Sequence, residues 1–229
     1  MDNLHGVRST IVAAFLSLPL LFISFTAFLA IALGAPGLIM LFAGQILISG
    51  VTFAIHMVGD FFLKAKLQDY MYVDAENANL VPGIYESGGV VNVTPSYWMV
   101  HVIFFLSYLM ANAVEVFKAD KKQGADWQVS NRRSKSLAII IVLALSMLTL
   151  ILTRYIFTGA KLPTSTQFTS GVETPFGTVF GCALGGAIGY GWFKLSQKMG
   201  ARESDIFGII QQMAPNAGAP TTCVYTPIA

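Results

Sequence analysis

Five stretches of the chain, at about 9–33, 37–63, 96–117, 136–158 and 175–195, run for more than twenty residues with at most one charged side chain each. In hydrocarbon no water satisfies backbone amides and carbonyls, so such a run is stable there only as a helix that bonds to itself. About 20 apolar residues make one crossing of a bilayer core. Charged residues are 11% of the chain, against roughly 25% in soluble domains, too few to clothe a water-facing surface. The expected fold is therefore an all-α integral membrane bundle of about five transmembrane helices, four being the alternative, over residues 1–199. A short amphipathic helix and an extended tail follow over 200–229.

The first apolar run, Ile11 to Leu33, exceeds a signal-peptide core and reads as a retained span. "GAPG" at 34–37 predicts a tight turn that makes the first two spans a hairpin, and Pro95 and Pro175 are placed in the first turns of their helices. The fifth span is the least apolar and is also compatible with a re-entrant segment. With five spans, Arg8, Lys64, Lys66, Arg154 and Lys161 fall on one side, and nine cations fall on the other, six of them in the loop 118–135. Positive charge favours the cytosolic side, which predicts a lumenal or outside amino terminus and a cytosolic carboxyl tail. The loop 64–94 holds the sequon "NVT" at Asn92, hard against Pro95.

Gly177, Gly181, Gly185 and Gly189 recur every four residues, a single flat stripe on a helix. In lipid such a stripe admits another backbone at close range. A phosphate loop needs GxxxxGK[ST], or GxGxxG after a strand, and neither is present. The stripe reads as a packing surface, for the same chain or a second copy. In span two, Gln45, Ser49, Thr52, His56 and Asp60 share a sector roughly 80° wide, and in span three His101, Tyr108, Asn112 and Glu115 share another. Ionisable groups are costly in a bilayer and turn inward. Three readings of His56, Asp60, His101, Asn112 and Glu115 stand side by side: hydrogen-bond glue between helices, a proton or ion path, and a metal or bis-histidine haem site. No metal, cofactor or catalytic residue is expected, since HExxH, GxSxG and CxxC are missing. Arg154 and Glu173, at neighbouring span ends on one side, are candidates for a salt bridge.

In the tail, Asp205 is a fair cap for Ile206, Ile209, Ile210 and Met213, a helix of barely two turns ended by Pro215. A helix that short needs a surface to lie on, membrane or protein. Beyond it the chain, with Val224 and Tyr225 near its end, is either a disordered end or a peptide that docks on a neighbour, with Ile206, Ile210, Met213, Val224 and Tyr225 as its apolar contacts. The net charge of +2 gives no basis for nucleic-acid binding.

"TPSYW" with His101 and Asn112, "RYIFTG" at 154–159, "ETPFG" at 173–177 and "RESDIFGII" at 202–210 together resemble multi-pass membrane proteins of large icosahedral DNA viruses, especially those of algae. The likeness runs from 94 to about 223. It implies a non-enzymatic virion membrane protein, in an internal bilayer derived from host endomembrane, that links the bilayer to membrane or minor capsid proteins. Such proteins are expected to carry a cysteine close before the Glu173 motif. This chain has Val172 there, so no disulfide or redox role is carried over. The rival from the residues alone is a small proton- or ion-linked transporter that uses the polar faces of spans two and three.

Overall fold

The computed structural model describes residues 17–62, 72–74, 90–118, 126–157, 174–199 and 206. These form five helices, α1 (Leu18–Leu33), α2 (Pro36–Phe62), α3 (Tyr97–Lys118), α4 (Asp126–Phe157) and α5 (Pro175–Met199), with a short ribbon of β1 (Tyr72–Asp74) and β2 (Val90–Asn92) between α2 and α3. Four of them, α2 to α5, are long and apolar enough to cross a membrane. The first of the five expected spans is a shorter apolar helix, Leu18–Leu33, in its described part, and residues 9–16 lie outside the described residues. The count of full-length candidates among the described residues is thus four rather than five. The least apolar segment is one continuous helix of 25 residues.

Local chemistry sets the helix ends. Gly34 closes α1 with φ 58°, and its N–H donates to Ala30 O. That left-handed conformation suits a residue without Cβ, and Pro36 then opens α2. Thr174 caps α5: its hydroxyl accepts from Gly177 N at 3.0 Å, with Pro175 at the first helical position. Ser96 caps α3, accepting from Met99 N at 3.2 Å. Pro95 therefore stands before the cap of α3, not in its first turn. Its carbonyl lies outside the helix ladder and is open to another partner. The loop 64–94 contributes the antiparallel ribbon, with Tyr72 opposite Asn92 and Asp74 opposite Val90. The helix α4 starts at Asp126, ten residues before the apolar run at 136, and its 32 residues span about 48 Å at 1.5 Å per residue. That exceeds a hydrocarbon core of about 30 Å, so its Arg132–Lys135 end extends past the apolar window.

The hub is α3, which touches the other four helices. One face carries Val100, Phe104 and Tyr108 against Leu41 and Ile48 of α2 and Phe193 of α5. The other carries Trp98, Val102 and Leu106 against Phe22 of α1 and Leu143, Met147 and Ile151 of α4. Elsewhere the surface is apolar: Ile31, Phe53, Phe61, Leu145 and Val179 are all more than half exposed, the distribution a lipid solvent accepts. Ile206 is half-buried against the first of these clusters.

Candidate functional site

The glycine stripe of α5 lies against α3 within the chain. A Cβ added at Gly177 would stand 2.7 Å from Val93 O, at Gly181 3.0 Å from Ser96 O, at Gly185 2.5 Å from Val100 O, and at Gly189 2.7 Å from Phe104 O. Each step of four on α5 meets an advance of three or four residues on α3 and the segment leading into it, so the two helices run parallel, backbone on backbone. The contact is pinned at its start by Ser96 N donating to Gly177 O at 2.9 Å and at its end by Tyr108, whose hydroxyl donates to Ser196 Oγ at 3.0 Å. Gly191, off the stripe, meets nothing within 4 Å.

A second close approach involves Gly44 of α2. A Cβ there would lie 2.5 Å from Phe104 Cζ and 2.6 Å from Trp192 Nε1. The space lets the Trp192 indole reach α2 and donate to Met40 O at 2.7 Å. Neither Gly44 nor Trp192 was singled out from the sequence. Gly44 precedes Gln45 on the inward face, and that neighbourhood was its one available signal.

The polar face of α2 meets α3 at two levels. At the inner level, His101 is fully buried. Its Nδ1 lies 3.0 Å from Gln45 Oε1 and its Nε2 3.2 Å from Ser49 Oγ. A side-chain carbonyl only accepts, so Nδ1 donates to Gln45 Oε1, while the Ser49 hydroxyl donates its one proton to the Gln45 backbone carbonyl at 2.9 Å. Tyr97 covers the ring, with centroids 4.2 Å apart. At the outer level, His56 Nε2 donates to the Pro95 carbonyl at 2.8 Å. Asn92 donates to Asp60 Oδ1 at 3.1 Å, and its own Oδ1 accepts from Thr94 N at 2.9 Å. The sequon asparagine is thus only 6% exposed, with its amide turned into the bundle.

No protein-family model, curated protein or solved structure matches the chain.

The remaining sequence candidates divide. Glu115 departs from the α2-facing set and takes Lys194 of α5 at 3.1 Å, in a half-exposed pair at the opposite end of the bundle from Asp60. Asn112 is buried on α3. Arg154 is buried, with its guanidinium 5.1 Å from the Trp98 ring centre, an arrangement that favours a cation electrostatically. Glu173, Ile210, Met213, Val224 and Tyr225 lie outside the described residues. Among the described residues, no three His, Cys, Asp or Glu side chains converge where they can share a metal ion. His56 and His101 are each held by protein oxygen atoms on a different level of the seam.

Proposed function

We propose that the chain is a structural multi-pass membrane protein, whose rigid three-helix core of α2, α3 and α5 holds outer apolar faces against lipid and neighbouring proteins. The observation that carries this reading is that the ring nitrogens of His101 and His56 bond across the seam between α2 and α3. His101 with Gln45 and Ser49, and His56 with Pro95, join helices to one another. Interhelical bonds of this kind act as glue, each contributing about 0.6 kcal/mol on average in a bilayer setting. The glycine stripe adds backbone contact between α3 and α5. The resemblance of residues 94 to about 223 to virion membrane proteins supports an internal membrane beneath a capsid shell as its location, with capsid or membrane proteins as partners, and the six cations of the 118–135 loop support a cytosolic carboxyl tail.

The rival, proton- or ion-linked transport, draws on one observation. Gln45 Nε2 is buried with no hydrogen-bond partner among the described residues, the kind of donor a passing water or ion meets. Proteoliposomes containing the full chain and a trapped pH dye separate the two. The structural reading expects proton flux equal to that of empty vesicles. Flux above that level, abolished by His101→Ala or His56→Ala in protein that still folds, would replace it with the transport reading.

A further inference from the structure

A crevice of about 290 Å³ opens between α3, α4 and α5 toward the end of the bundle that carries Lys118 and Lys194. Its composition changes along its length. The deep part is apolar, with Met110 and Val114 of α3, Met147 of α4 and Gly186 of α5, while the mouth holds Glu115, Lys118 and Lys194. Its innermost α3 residue, Ser107, is at the midpoint of that helix, and Lys118 is its last residue. Eleven residues at about 1.5 Å each give roughly 16 Å, close to half of a hydrocarbon core of about 30 Å. The crevice thus has the length of one leaflet, with its charges at headgroup depth.

We infer that this crevice seats one anionic glycerophospholipid, with an acyl chain along the Gly186 floor and the phosphate between Lys118 and Lys194. An ammonium has three N–H donors. Lys194 gives one to Glu115 at 3.1 Å and one to Gln197 at 2.9 Å, which leaves a third for a phosphate oxygen. Glu115 offsets one of the two lysines at the mouth. Arg132, Arg133 and Lys198 add positive charge at the same end of the bundle, with Arg133 5.9 Å from the Phe117 ring centre. The local excess is cationic, and basic pockets between transmembrane helices select anionic headgroups. Gly186 keeps the floor open: a Cβ there would rest 3.8 Å from Ile103 and Ser107, in ordinary contact. The first carbon of a larger side chain at this position thus fits between α3 and α5, and the rest has the crevice to enter.

Native mass spectrometry of the full chain in detergent, stripped of lipid and then offered phosphatidylglycerol or phosphatidylcholine with the same acyl chains, tests the seat. The expected result is one phosphatidylglycerol retained in preference to phosphatidylcholine. Lys118→Gln with Lys194→Gln removes the headgroup contacts, and each lysine is expected to account for about a five-fold loss of retention. Gly186→Leu keeps every charge and blocks the floor, and retention is expected to fall to the level of phosphatidylcholine. Gly186→Leu also serves alone if the lysine variant does not fold. Equal retention of the two lipids by the unaltered protein, or a phosphatidylglycerol preference that survives in either folded variant, would overturn the proposal.

Discussion

Replacing Gly185 by alanine tests how the bundle is held together. The added methyl would stand 2.5 Å from the Val100 carbonyl oxygen and 3.1 Å from Phe104 N. Ordinary contact begins at about 3.4 Å, so α5 has to retreat from α3 by roughly 0.9 Å. The obstacle is backbone on a regular helix, which cannot swing aside as a side-chain tip does. Retreat also loosens the neighbouring contacts at Gly181 and Gly189, since all three belong to one rigid stripe. Overpacking of this kind costs about 1–3 kcal/mol. Gly191→Ala is the control, because nothing lies within 4 Å of its added Cβ. That change recovers up to about 1 kcal/mol of helix propensity. Reversible unfolding of each variant in mixed micelles, followed by tryptophan fluorescence, measures both values. The order Gly191→Ala, unaltered protein, Gly185→Ala in falling stability is expected. A Gly185→Ala protein as stable as the Gly191 variant would refute backbone-on-backbone packing of α3 and α5.

Other consequences follow from the same contacts. Trp192→Phe keeps an aromatic ring but removes both part of the indole's volume and the donor to Met40 O, and a loss of at least about 0.5–1.5 kcal/mol is expected in the same unfolding assay. His101→Ala leaves Gln45 Oε1 without its donor in a buried site, and is expected to cost about 1–3 kcal/mol; His101→Gln, which restores a donor, is expected to recover part of it. Exchanging the charges of Glu115 and Lys194 is expected to leave stability nearly unchanged, and a double-mutant cycle should give a coupling below about 1 kcal/mol, because both side chains are nearly half exposed. Asn92 is expected to carry no glycan in the folded protein, as its amide is bonded to Asp60 and Thr94. Deglycosylation of protein made in a eukaryotic membrane should therefore leave its mass unchanged.

The helices were legible because the bilayer imposes a strong rule: runs of about 20 apolar residues must bond internally. The punctuation was legible too, as Gly34 and Pro36 separate α1 from α2 and Pro175 opens α5, although the Thr174 cap before it was not singled out. The start of α4 was not, because a helix continues into water without apolar residues, and Asp126–Asn131 offers no hydropathy signal. Pro95 misled for a related reason: a proline before a helix is compatible with the first helical position or with a position before the cap, and the Ser96 hydroxyl decides it. For the polar seam, helical period places Gln45, Ser49, His56 and Asp60 on one face, but period carries no depth. The pairing of His101 with Gln45 and Ser49, rather than with His56, depends on how far α2 is displaced along α3. Glu115 shared the sector of His101 yet meets α5, because α3 is central and its faces are divided among four neighbours. The glycine stripe announced a close contact but not its partner. The partner is the helix that precedes it by two in the chain.

The structural role proposed above requires that the protein functions in the company of others. The direct measurement is gentle extraction from its native membrane or particle, sizing of the intact complex, and mass spectrometry of what travels with it. A very large assembly dominated by capsid or other structural membrane proteins is expected. A small species containing this chain alone, fully active in carrying protons or ions across vesicles, would contradict the structural role.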